Sequence, residues 1–113
     1  MASIDWIEEF GARIMVCDRE GVIVQANAKS RESYAKEGVR DLVGANALDC
    51  HPGPARAKLA ALLASGGTNV YTIEKQGVRK LIYQSPWYEN GECKGLVELS
   101  LEIPKNMPHH VRG

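Results

Sequence analysis

Cys50 and His51 bring the two most reactive side chains of the sequence next to one another, a thiol that could attack and an imidazole that could act as base or metal ligand. In an extended segment, however, adjacent side chains point to opposite faces, so this thiol and imidazole would hardly share a proton. A metal site made from Cys50, His51 and the distant Cys93 lacks any ligand-pair spacing, and the cysteines Cys17, Cys50 and Cys93 form neither CxxC nor CxxCH. His109-His110 reads as part of a solvated tail. Tyr71, Tyr83 and Trp87 offer a different chemistry: two hydroxyls to fix the polar end of a small ligand and an indole to stack on its flat face. Leu59, on the apolar face of a helix, would line the same pocket, and Arg79 and Lys80 are candidate partners for an anion. The plainer reading of these aromatics is ordinary core. No GxxxxGK[ST] phosphate loop occurs, and Gly66-Gly67 is explained as a helix stop.

A second candidate is an apolar stripe near the N-terminus. Ser3 can cap a short helix in which Ile4, Ile7 and Phe10 recur at three-residue steps, with Trp6 alongside and Gly11 as the stop. Such a stripe either folds back on the protein's own sheet or pairs with the same stripe of a second copy, giving a homodimer.

The elements that must position these groups are short. Arg13–Asp18 and Val22–Asn27 are β-branched runs joined by Asp18-Arg19-Glu20-Gly21, which predicts a hairpin. Asn27 stands where a cap would precede a helix over Ala28–Lys36, Gly38 ends it, and Asp41-Leu42-Val43-Gly44 suggests one more helical turn. Pro54 suits the first position of a helix running to Ser65, with Ala55, Leu59, Leu62 and Leu63 on its apolar face. Strands are expected over Asn69–Lys75, Val78–Tyr88 and Gly95–Ile103, linked through Gln76-Gly77 and Asn90-Gly91. In the last strand Val97, Leu99, Leu101 and Ile103 alternate with Glu98, Ser100 and Glu102, predicting a buried face and a wetter one. Two strands, a block of helices and three further strands make an α+β fold with helices on one face and room for a ligand between the layers.

Composition bounds the function. The 113 residues are 44% hydrophobic, 25% charged and 6% aromatic, enough for a single domain. Fourteen basic residues balance fourteen acidic ones, so no field gathers nucleic acid or anionic lipid, and direct nucleic-acid binding is not expected. The longest apolar run, Leu59–Ala64, falls far short of the roughly 20 residues of a membrane span. Without bases in an export-like N-terminus, the chain is expected to stay in the cytoplasm.

The string Asp18-Arg19-Glu20-Gly21, Val22-Ile23-Val24-Gln25-Ala26-Asn27, Leu42-Val43-Gly44, Leu48-Asp49-Cys50-His51-Pro52, Asn90-Gly91 and Gly95-Leu96-Val97 resembles a PAS domain over about residues 11 to 103. That resemblance implies a five-stranded antiparallel sheet in the order 2-1-5-4-3, short helices on one face and an N-terminal amphipathic helix. The corresponding division is 1–11 for that helix, 12–103 for the PAS domain and 104–113 for a flexible tail. It also implies a non-enzymatic sensor that binds a small ligand and signals through dimer contacts, a partner protein or an output domain outside this chain. Glu102-Ile103-Pro104 replaces the family's usual Asp-Ile-Thr ending. Around His51, the His-Pro pair before Arg56-Ala57-Lys58-Leu59 is similar to the stretch carrying the proximal histidine of haem-binding PAS regulators, which implies a haem-based gas or redox sensor as one alternative. A ligand-free protein–protein interaction module is the other.

Overall fold

The computed structural model describes residues 4–51 and 53–113; Ser3, the expected cap, lies outside them. Five strands and two α-helices follow in the order β1 (Arg13–Asp18), β2 (Ile23–Ala26), α1 (Ala28–Lys36), a 3₁₀ turn (Ala47–Cys50), α2 (Gly53–Ser65), β3 (Asn69–Lys75), β4 (Val78–Glu89) and β5 (Glu92–Ile103). All strand pairs are antiparallel and the sheet order is β2-β1-β5-β4-β3, as the resemblance implies. Local chemistry accounts for the turns. Asp18 accepts from the Glu20 and Val22 N–H groups to close the first hairpin. Gln76-Gly77 and Asn90-Gly91 all take positive φ, the two-residue geometry that matches the twist of paired strands.

Asn27 ties the first hairpin to α1. Its buried side chain accepts from Ser30 N–H as the helix cap and from Ile14 N–H of β1, and donates to the Ala12 carbonyl. Ser30 adds a hydroxyl bond to the Ile14 carbonyl at 2.9 Å. Between α1, α2 and the sheet, Met15, Cys17, Ile23, Ala26, Tyr34, Leu42, Leu59, Leu62 and Leu96 form the core.

Three expectations are corrected. The helix expected near the N-terminus is not formed over 4–10; a single turn closes there, with Phe10 N–H on the Ile7 carbonyl. Seven residues cannot hold a helix alone, and this segment is instead tethered to α1, its Glu8 carbonyl by Ala28 N–H and its Glu8 carboxylate by a two-pronged bond from Arg31 at 2.7 Å. At Asp41–Gly44 a turn closes, with Ala45 N–H on the Leu42 carbonyl, but it is not helical, since Gly44 takes φ +97°. Gly44 N–H is drawn to the Ile23 carbonyl and Ile23 N–H to the Ala45 carbonyl, so the segment runs beside β2 before the 3₁₀ turn begins.

The third correction concerns β5. Register places Met15, Glu98 and Gln84 side by side, and Arg13, Ser100 and Ile82 likewise, on the face toward the helices. The apolar alternates Val97, Leu99, Leu101 and Ile103 therefore point to the other side, next to Ile14, Tyr83 and Val70. Alternation identifies two faces; it does not say which of them the helices cover.

Replacing Asn27 by Ala removes three bonds from a buried site, and urea denaturation is expected to show a loss of about 2 to 3 kcal/mol, with Asn27→Ser recovering only the helix-cap part.

Candidate functional site

The inner sheet face carries a chain of polar side chains where a plain core would be apolar. Glu98, in the middle of β5, is the centre of it. Its carboxylate accepts from Gln84 Nε2 at 2.8 Å, and Gln84 in turn accepts from Asn69 Nδ2 at 3.0 Å, so three neighbouring strands are linked across the face. His51 Nε2 lies 3.4 Å from the same carboxylate, and the two side chains are 10% and 11% exposed.

The 3₁₀ turn aims His51. Asn46 caps that turn through Leu48 N–H, and the His51 Nδ1 atom sits 2.7 Å from the Ala47 carbonyl. A carbonyl only accepts, so Nδ1 carries the proton, and an uncharged ring would turn the Nε2 lone pair toward Glu98. An imidazolium satisfies both bonds. Accordingly, the hydrogen bond to Glu98 and its charge lift the His51 value above the ordinary one, against burial. For Glu98, burial acts to raise the carboxyl, but the His51 bond and charge, Gln84 and Arg13 together hold it below the ordinary value.

Around this pair lies a cleft of about 540 Å³ that includes Arg13, Tyr34, Cys50, His51, Tyr71 and Glu98. Arg13 donates to the Ser33 hydroxyl at 2.9 Å and stacks over the Tyr34 ring at 5.3 Å, yet its buried Nε–H has no partner. Tyr71 reaches the cleft, partly buried, its hydroxyl value raised by burial and by the Glu98 charge. Cys50 borders it too, but burial, with Asp49 beside it, keeps the thiol protonated, and both His51 nitrogens are engaged elsewhere. Burial pushes Cys17 to about 11. Neither thiol is poised as a nucleophile.

Other expected pocket residues are elsewhere. Tyr83 is 39% exposed and shares the register of Val70 and Leu99 on the far face of the sheet. Trp87 borders none of the cavities described here; its indole donates to the Cys17 carbonyl at 3.0 Å, next to Gly95, where φ is +152° and any Cβ would strike that carbonyl. Leu59 is core, 2% exposed, and with His51 and Glu98 borders only a void of about 10 Å³. Arg79 pairs with Glu74, while Lys80 borders the cleft. Sequence reasoning missed Glu98, Gln84 and Arg13; the available signal was an acid and an amide at mid-strand positions.

For a haem iron, the Nδ1–H to carbonyl bond of His51 is the arrangement a metal-bound imidazole uses. The position that Nε2 addresses, however, is filled by the Glu98 carboxylate, and the cleft walls carry Arg13, Lys36, Glu37, Lys75 and Lys80 rather than an apolar slot for a porphyrin. The residues as arranged do not fit the group. Among the described residues, no cluster of three or more His, Cys, Asp or Glu side chains is placed to hold a metal ion, and no helix is long and apolar enough to cross a membrane.

No family model and no curated protein sequence matches the chain. Solved structures do. A sensor region of a sensor histidine kinase superposes with a TM-score of 0.63 at 21% identity, over 90% of this chain and 42% of that one. The Aer2 receptor of Vibrio cholerae, described as a dual PAS-haem oxygen sensor, gives 0.59 at 20% identity, over 82% of this chain and 95% of that one. The PAS domain of the histidine kinase ThkA gives 0.62 at 15% identity, over 80% and 97%. The fold is therefore that of PAS domains, and the chain spans less than half the length of the first of these structures.

The buried ion pair makes stability depend on pH in a defined sense. Because the folded His51 value is raised, its contribution is complete below the ordinary value of 6.5 and is lost as pH climbs through the raised one. Glu98's contribution is complete above 4.5 and is lost as pH falls through its lowered value. Urea denaturation is expected to show wild-type stability declining as pH rises past 6.5, with Glu98→Gln flattening that decline. His51→Ala is expected to cost about 3 kcal/mol at pH 6, since it leaves a buried carboxylate without its counter-charge.

Proposed function

We propose that this PAS-fold domain is a non-enzymatic sensory module that takes a small polar ligand into the cleft between its helices and sheet. The carrying observation is the inner face itself: Arg13, Gln84, Glu98 and Ser100 occupy positions that a structural core would fill with aliphatic side chains. Arg13 and Tyr71 are the ligand-facing polar groups beside the His51–Glu98 pair, with Ile82 as the apolar floor. Likeness to sensor histidine kinase structures supports the signalling role.

Signal leaves by the surface. Trp6 and Phe10 form an exposed edge-to-face pair with ring centroids 5.6 Å apart, Ile4 is exposed beside them, and Ile7 is half-buried. With the apolar outer face of β5, they make the contact surface for a second copy or a signalling partner. A ligand drives that contact only by binding its two states with different affinity.

Native mass spectrometry of the purified protein, with and without a metabolite extract, is expected to show a small-molecule adduct that Ile73→Trp, placed at the cleft, abolishes. Identical spectra for both proteins would support the ligand-free interaction module instead. Light scattering is expected to find a dimer for the wild type and a monomer for Trp6→Glu combined with Phe10→Glu; an unchanged mass would remove the N-terminal stripe from the interface.

The haem alternative rests on the His51 segment and on the likeness to an oxygen-sensing structure. Glu98 counts against it. Protein expressed with a haem precursor is expected to show equally weak Soret absorbance in wild type and His51→Ala. A near-stoichiometric band lost in His51→Ala would reverse this reading.

A further inference from the structure

Between α1, the start of β1 and the end of β5 lies a second groove, of about 670 Å³. It shares Arg13, Ser33, Lys36, Lys80 and Glu102 with the central cleft and adds Lys29 and Ser100, which do not border that cleft. We propose that this groove is a binding site for a small oxyanion, a carboxylate or phosphate group seated on Arg13 and Ser100.

Two orphaned polar atoms point to an acceptor. Among the described residues, Arg13 Nε and Ser100 Oγ are the buried side-chain polar atoms without a hydrogen-bond partner. Arg13 and Ser100 are direct neighbours in the β1–β5 register, and both line this groove. Burying two such groups unsatisfied is costly, and a native fold seldom leaves them adjacent without something to bind. Arg13 already spends Nη1 on Ser33, which leaves the Nε edge of the guanidinium, the side that meets the paired oxygens of a carboxylate or phosphate. A serine hydroxyl beside it supplies one more donor to the same group.

The charge agrees. Arg13, Lys29, Lys36 and Lys80 stand around the groove against the two carboxylates of Glu32 and Glu102. Among the described residues none of these four cations is in an ion pair, whereas Lys75 and Arg79 nearby are paired with Glu37 and Glu74. An anion entering here meets a surplus of positive charge at the mouth and two unfilled donors at the base.

The test is an amide-resolved NMR titration of the ¹⁵N-labelled full chain with sodium acetate and, separately, inorganic phosphate, at constant ionic strength with sodium chloride as control. Saturable shifts at Lys29, Arg13 and Ser100 are expected. Saturation with acetate alone assigns a carboxylate site, with phosphate alone a phosphate site, and with both a general oxyanion site. Shifts that stay linear, or that chloride reproduces, overturn the proposal. Ser100→Ala is expected to weaken binding about tenfold while leaving urea stability unchanged or higher, because it deletes an unsatisfied group. Lys80→Gln is expected to weaken binding several-fold; wild-type affinity in Ser100→Ala overturns the proposal. Failure of the central-cleft reading is seen separately, as silence at Tyr71 and Cys50 with an intact response at Lys29.

Discussion

A carboxylate buried in the middle of a sheet must be neutralised and hydrogen-bonded, and Glu98 imposes that requirement on everything around it. Gln84 and Asn69 extend its hydrogen bonding across β4 and β3, and His51 brings the counter-charge from the opposite layer. The 3₁₀ turn at Ala47–Cys50 then has a reason: it presents the His51 ring with Nδ1 already committed to the Ala47 carbonyl, so that Nε2 can face the sheet. From α2, Leu59 and Leu62 enter the core and Leu63 packs against it. The ion pair is the specific link from the Ala47–His51 segment to the sheet, as the Asn27, Ser30 and Ser33 hydrogen bonds to β1 are from α1, whereas apolar packing would tolerate sliding.

Placing the polar chain inside forces the apolar alternates of β5 outside. Leu99 and Leu101 lie on the surface opposite the helices, in line with Leu81, Tyr83 and Val70. One strand thus carries Glu98 and Ser100 on its inner face and the apolar row on its outer face. Any shift of β5 moves both faces together, since the alternation is built into the backbone. On the proposed reading, that shared backbone is what relates an inner ligand to an outer contact.

Much of the architecture was legible where local chemistry decides it. The bounds of β1, α1 and β3 follow from Asp18, Asn27 and the Gln76-Gly77 turn, each of which acts within a few residues. What required tertiary information was not legible. Tyr71 and Tyr83 look equivalent in sequence, but register pairs Tyr71 with Ile82, on the helix side, and Tyr83 with Val70 and Leu99, on the other. Trp87 was committed to a backbone carbonyl seventy positions away. The N-terminal stripe has helical spacing, yet its backbone is bound by Ala28 and Arg31, partners that no local pattern announces. His51 stands out in the sequence, but its partner, a carboxylate forty-seven positions on, does not.

The inner face also weighs on the choice between a sensor and a ligand-free interaction module. A module whose interior serves only to hold its surface in shape gains from filling that interior with aliphatic side chains, and replacing buried ionic groups by packed apolar ones is often stabilising. Here the opposite composition is present: an ion pair at the centre, a guanidinium stacked on Tyr34 with one N–H unsatisfied, and a serine hydroxyl beside it with no acceptor. Each of these lowers stability relative to a packed apolar core, and the last two leave a buried polar group without a partner. On the proposed reading, a polar guest that supplies those two partners stabilises the state it binds, and that difference in affinity is what a sensor requires.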